Sequence, residues 1–192
     1  MRQKQVVNPH QMDAHGSPWS LGNRILRLVW EFCWALFCMW TPKPLNGWRL
    51  VWLRLFRAKI HGRPFVHQRA RISIPWNLTI HDRAMLGDRA NINTLGEIEI
   101  GARTIVAQEA YLSSGSHDFD RRALPLVVAK ITIGDDAFVG ARTFVMAGVS
   151  IGNRALIGAC SVVTKDIPDN VVAAGNPCRV IKTRPPWTDD TG

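Results

Sequence analysis

The chain of 192 residues carries four cysteines, Cys33, Cys38, Cys160 and Cys178, and no two of them have CxxC spacing. That absence excludes the common zinc-ribbon and dithiol motifs. Cys33 and Cys38 sit in an apolar run, and the set reads as reduced, buried thiols of a cytosolic protein. Missing as well is an unbroken apolar run of the ~20 residues that a membrane span needs. The densest apolar stretch, Leu21 to Trp40, is interrupted by Arg24, Arg27 and Glu31, which leaves only Phe32 to Trp40 free of charge. It begins too late for a signal peptide and has no small-residue cleavage site. Acid, finally, is scarce at one end. Residues 1–72 hold 12 Lys or Arg against Asp13 and Glu31, so the formal charge of +9 belongs to this part, and the remainder carries a net charge of −1. Such asymmetry points to an anionic surface as partner. No nucleic-acid-binding motif accompanies it, which favours a membrane surface over nucleic acid.

Five of the eight tryptophans fall between Trp19 and Trp48. Leu21 to Trp40 and W-R-L-V-W-L-R-L-F-R (48–57) both read as helices, with Pro42, Pro44 and Gly47 in the turn between them. Residues 18–59 are therefore expected to form an apolar, basic helical arm, preceded by a flexible N-terminus at 1–17. Tryptophans and arginines beside an apolar face suit the membrane interface, with Arg49, Arg54, Arg57 and Lys59 around Leu50, Trp52, Leu53 and Phe56. Packing of the arm on the rest of the protein, or on a second subunit, is the alternative, and the two are compatible.

From residue 60 the chain repeats every six residues. An aliphatic residue opens each unit at Ile133, Val139, Val145, Ile151, Ile157 and Val163, and Gly follows it in four of the six. Small or β-branched residues recur four places on, at Ala137, Thr143, Val149, Ala155 and Ser161. An earlier run has the same period at Ile74, Ile80, Leu86, Ile92 and Ile98, then continues after a shift of two at Ile100, Val106 and Leu112. On an α-helix six residues turn the chain by about 600°, which scatters the repeated position over every face. In extended chain, six is a multiple of two, so the side chain returns to the same side. A short strand and a tight turn fill six residues, and three such units close a triangular coil. The expected fold is thus all-β: a parallel β-helix over 60–182 whose coils bury their faces on one another, with a tail at 183–192. Gly175-Asn176-Pro177 marks the turn that ends the repeat.

The period fails once, at residues 113–130. An insertion in a repeat array maps to a loop leaving one face, often the functional one. His117 stands at its start, in G-S-H-D. Histidine titrates near neutrality, so its neutral form can take the proton of an alcohol as that alcohol attacks a carbonyl. The same chemistry calls for a backbone N–H or similar donor at the developing oxyanion. A lone loop histidine is more often simply solvated; its place at the interruption shifts the reading toward catalysis.

The segment Y-L-S-S-G-S-H-D-F (111–119) resembles the catalytic segment of the acetyltransferase family that includes colanic-acid-pathway, galactoside, maltose and nodulation enzymes. The resemblance to the colanic-acid branch spans most of the chain: P-L-N-G-W and L-F-R-A-K-I in the arm, I-P-W-N-L-T-I, G-S-H-D, S-V-V-T-K-D-I-P, and A-A-G-N-P-C-R-V-I. It implies a left-handed β-helix, acetyl-CoA as co-substrate without a required metal, O-acetylation of a saccharide such as an exopolysaccharide precursor, and a homotrimer with sites between subunits. By the same resemblance His117 falls on the catalytic histidine, and Ala141, Ala159, Thr164, Lys165, Arg179 and Lys182 fall where the family contacts CoA. Cations suit the phosphates of CoA, and small residues would let its pantetheine arm lie against the wall. Asn91 and Asn93, in an earlier coil, are candidate acceptor contacts; as Asn they serve equally well in tight turns. Lipid-linked acceptors at the inner face of the membrane would suit the basic, Trp-rich arm. The zinc hydrolyases of this fold hold their metal with three histidines, and Arg122 occupies the place of the third. Another alcohol as acceptor, and a non-catalytic scaffold, remain as alternatives.

Overall fold

The computed structural model describes residues 5–7 and 17–187; residues 1–4, 8–16 and 188–192, which include most of the expected flexible N-terminus and the end of the tail, lie outside that description. From Lys59 onward the chain winds into a parallel β-solenoid of about six turns. One face stacks Lys59–Ile60, Leu78–Ile80, Ile98–Ile100, Ile131–Ile133 and Ser150–Ile151. A second begins at Phe65–Val66 and ends at Val171–Gly175, on which Cys178–Thr183 folds back antiparallel. The third stacks Arg71–Ile72, Asn91–Asn93, Tyr111–Ser113, Phe144–Val145 and Val162–Val163. The repeated aliphatic residues point inward, and Val139, Val145, Ile157 and Val163 are fully buried. Three residues past the inward residue the backbone turns left-handed, at Arg83, Arg89, Arg103, Glu109, Asp136, Arg142, Arg154 and Cys160. The next position is a buried small or β-branched residue, such as Ala84, Ala90, Ala110, Thr143 or Ser161, as the pattern predicts.

The phase of the earlier run differs from the simple count. Ile60 stacks on Ile80 and Ile80 on Ile100, so the first coils are two residues longer than three hexapeptides. Ile74 and Ile98 are buried but do not hold the repeating position; Ile72, Ile92 and Leu112 align instead. The extra residues gather at one corner, after the third face. There a single 3-10 turn, Pro75–Asn77, is followed one coil on by the bend after Asn93 and then by the 113–130 insertion. Thr94 ties this corner together: its hydroxyl donates to the Ile74 carbonyl and accepts from the Ile74 N–H, each at 2.8 Å.

The arm consists of α1 (Leu21–Phe37) and α2 (Asn46–Leu55), joined through one 3-10 turn, Lys43–Leu45. Ser20 caps α1 by accepting from the Asn23 N–H at 3.4 Å. One face of α1 packs on the solenoid. Trp30 is buried there, its ring tilted against those of Trp34 and Phe56, and its indole N–H donates to the Ile72 carbonyl at 2.7 Å. The second helix closes the first coil, whose edge would otherwise present unpaired backbone groups. Asn46 accepts from the Val66 N–H and donates to the Pro64 carbonyl, while Arg49 Nε donates to the Val66 carbonyl at 2.8 Å. Arg49 is fully buried, so it is an edge cap and not one of the interfacial cations expected from the sequence. At the other end Trp187 lies under the guanidinium groups of Arg154 and Arg184, 4.5 and 4.9 Å from its ring centre.

The thiols are all free. Cys38 and Cys178 are buried as expected, Cys33 is half-buried, and Cys160 is exposed at a left-handed corner, contrary to the expectation for the set.

Candidate active site

The insertion is a β-hairpin. Gly115–His117 pairs antiparallel with Leu126–Val128, with His117 opposite Leu126. Its roots are fixed by Ser114, which is fully buried. The Ser114 hydroxyl accepts from the Gly96 N–H at 2.9 Å and lies 2.8 Å from the Asn93 carbonyl; the Ser114 carbonyl accepts from the Ala129 N–H at 3.0 Å. A chain leaving the solenoid at 114 and returning at 129 is thus pinned to one residue. The corner that carries it is the one already lengthened in the two preceding coils.

His117 is exposed, with Nδ1 2.6 Å from the Leu124 carbonyl. A carbonyl only accepts, so Nδ1 carries the proton and the Nε2 lone pair of the neutral ring is free. Leu124 itself adopts a left-handed conformation, which turns its carbonyl toward the imidazole side of the hairpin. A cavity of about 340 Å³ adjoins the ring, lined by Val6, His117, Asp118, Phe119, Asp120 and Val127. Asp118 accepts from the Asp120 N–H at 3.2 Å and lies 3.7 Å from Arg121 Nε. The arrangement sets an imidazole nitrogen beside carboxylates able to accept from hydroxyl groups.

Residues 130–165 match the family model described as bacterial transferase hexapeptide (six repeats). The chain is 40% identical to the putative colanic acid biosynthesis acetyltransferase WcaF of Escherichia coli, over 85% of this chain and 90% of that one. The chain is a hexapeptide-repeat acetyltransferase. Acetyl-CoA is the donor that such enzymes use. Solved structures agree in architecture. A maltose O-acetyltransferase from Clostridium difficile superposes with a TM-score of 0.74 at 28% identity, covering 86% of this chain and 90% of that one. A galactoside acetyltransferase in complex with coenzyme A gives 0.76 at 25% identity, covering 90% of each.

The acetyltransferase spreads its remaining candidate residues over several places on the solenoid. Ala141 and Ala159 stack at one corner of successive coils, the Ala141 carbonyl accepting from the Cys160 N–H at 2.9 Å. Arg179 joins them, since it pairs with Ala174, the residue that a Cβ on Gly158 would strike at 2.8 Å. Gly140 and Gly158 thus let consecutive coils approach closely here. Thr164 and Lys165 lie at the next corner, past Val163, with Lys165 exposed. Lys182 is farther along the returning strand, opposite Val172. Asn91 and Asn93 project from the third face one coil before Tyr111–Ser113. Asn93 accepts from the Ser73 hydroxyl at 3.1 Å, at the foot of the hairpin. Asn91 lines a different cavity, beside Trp30, Trp34 and Arg71 of the arm junction. Within one chain, then, the asparagines and His117 do not share a pocket. Sequence reasoning missed Leu124, Asp118 and Asp120 as neighbours of His117. The adjacency of His117 and Asp118 was visible, but the carbonyl that orients the ring is placed by the hairpin register. Among the described residues, no group of three His, Cys, Asp or Glu side chains is arranged to share a metal ion.

Proposed function

We propose that the enzyme acetylates a hydroxyl group of a saccharide, an exopolysaccharide precursor, with His117 as general base. The Leu124 carbonyl carries this reading, because it fixes the imidazole tautomer that leaves Nε2 free to accept the hydroxyl proton. Acetyl-CoA supplies the activated acyl group as a thioester. Lys165, Arg179 and Lys182 are exposed cations suited to its phosphates, and the small-residue corner at Ala141 and Ala159 presents a backbone surface for the pantetheine arm. Within one chain the asparagines lie away from the His117 cavity, which fits sites completed between subunits of a homotrimer. The named activities of its relatives favour a sugar as acceptor.

The arm extends the proposal to location at an anionic membrane. No described helix is long and apolar enough to cross a bilayer. Yet α1 is apolar on the side away from the solenoid too: Leu21, Ile25, Leu28, Phe32 and Leu36 form an exposed ridge, Leu21 and Phe32 at 69% and 66%. A ridge of this kind, in a region with few acids and many cations, suits an interfacial helix.

Calorimetric titration of CoA into the purified protein tests the donor half without an acceptor. Lys165→Ala and Arg179→Ala are expected to weaken binding. His117→Gln should leave CoA binding near wild type and lower kcat toward alkyl glycosides by ~10²–10⁴. A folded protein that binds no CoA would support the scaffold reading, and full activity of His117→Gln would place the base elsewhere.

A further inference from the structure

The hairpin that presents His117 has a third strand. Gln5–Val6 lies antiparallel along its outer edge, Gln5 opposite Val128 and Val6 opposite Val127. The Val7 N–H donates to the Leu126 carbonyl at 3.0 Å, and Leu126 is the residue facing His117 across the hairpin. One backbone hydrogen bond therefore separates residue 7 from the strand opposite the base. An isolated two-stranded hairpin is marginal in water, and a third strand both adds a ladder and covers an open edge. The same N-terminal strand reaches the site: Val6 lines the 340 Å³ cavity together with His117, Asp118, Phe119, Asp120 and Val127. Val6 and Val127 supply apolar wall, Phe119 an exposed ring, and Asp118 and Asp120 acceptor oxygens, with Arg121 the cation beside Asp118. Apolar surface with a few convergent acceptors matches a ligand that has both C–H faces and many hydroxyl donors.

We propose that residues 5–7 act as a strap on the catalytic hairpin and that Val6 forms one wall of the acceptor subsite, which takes a polyhydroxylated sugar ring. This rests on the reading of His117 as the base. The strap is a positioning element. It holds Leu126–Val128 in register, and that register sets both His117 and the Leu124 carbonyl that orients it. Because it is remote in sequence from the insertion, substrate selection by the hairpin depends on residues more than a hundred positions upstream.

Val7→Pro in the full chain removes the one N–H that bonds Leu126, and Val7→Ala keeps it. Hydrogen exchange followed by mass spectrometry should show peptides covering 115–128 exchanging roughly tenfold faster or more in Val7→Pro, with Val7→Ala and the solenoid coils unchanged. Transfer from acetyl-CoA to methyl β-galactopyranoside and methyl α-glucopyranoside should show a lower kcat in Val7→Pro. Val6→Ala should show a raised KM for the glycosides, with the KM for acetyl-CoA unmoved. Unaltered protection of 115–128 in Val7→Pro overturns the strap without any acceptor being needed. Glycoside KM values in Val6→Ala equal to wild type overturn the wall. The two readings separate through His117→Gln: normal exchange protection with lost transfer keeps both, whereas retained transfer removes the base and leaves the exchange result to judge the strap.

Discussion

Arg49→Met should destabilise the protein by ~3–4 kcal/mol. The figure follows from what the guanidinium holds. Its Nε donates to the Val66 carbonyl at 2.8 Å and NH1 to the Thr41 hydroxyl at 2.8 Å, both bonds buried. NH1 and NH2 also reach the carbonyls of Pro42 and Lys43 at 3.0 and 3.2 Å, where solvent has access. Met replaces the aliphatic stem but none of the donors. The Val66 carbonyl is left on the edge of the first coil, under α2, and an orphaned buried acceptor costs ~1–3 kcal/mol. Thr41 keeps its bond to the Cys38 carbonyl, so its loss is smaller, and the two outer carbonyls are rehydrated. The charge-assisted character of the lost bonds accounts for the rest. Burial pulls the Arg49 guanidinium below its ordinary pKa, yet four acceptors and no buried carboxylate surround it, which fits a cation held by carbonyl dipoles. Chemical denaturation at pH 7 reads the difference, and heating should show a Tm lower by roughly 6–16 °C for a chain of this size. Arg49→Lys should rescue little, since an ammonium cannot span the forked set. A loss below about 1 kcal/mol with an unchanged denaturant slope would refute the view that this side chain caps the first coil.

Three further outcomes are expected. Thiol labelling of the native protein should modify Cys160 fast and Cys38 and Cys178 only on unfolding, because Cys160 is exposed while burial pushes the Cys38 thiol up to about 12 against the opposing Arg49 charge; rapid modification of Cys38 would contradict the seating of α1 against the first coil. Glu99 is held below the usual carboxylate value by hydrogen bonds from Lys130 and His81, so its contribution is present above the unfolded value, near pH 4.3, and lost as pH falls through the lower folded one; Glu99→Gln should cost under about 1 kcal/mol at pH 6 and nothing at pH 2, as denaturation at the two pH values would show. Leu28→Glu with Phe32→Glu should reduce flotation with phosphatidylserine-containing vesicles by roughly tenfold or more while leaving the Tm in place, given the apolar area removed; unchanged flotation would sink the membrane proposal.

The sequence by itself determined the solenoid, because its signal is local. An inward aliphatic residue every six positions and a small residue four places on are both requirements of a single strand and turn, and stacking merely repeats them. It also located the interruption of the repeat, since a failed period is visible wherever it occurs, and it marked the two helices and the break between them. Tertiary structure decided what depends on contacts between distant segments. The phase of the early coils could not be read from Ile74 and Ile98, because both are buried and aliphatic, and only the register of Ile72 with Ile92 distinguishes the repeating position. Arg49 looked like one more surface cation, and its burial follows from the unpaired edge of the first coil, which no local pattern announces. The tautomer of His117 depends on a carbonyl seven residues away that the hairpin turn brings back. Most remote of all is Val6, whose place beside His117 comes from strand pairing across more than a hundred residues. Backbone hydrogen bonding of that kind is indifferent to side-chain identity, so the sequence carries little trace of it.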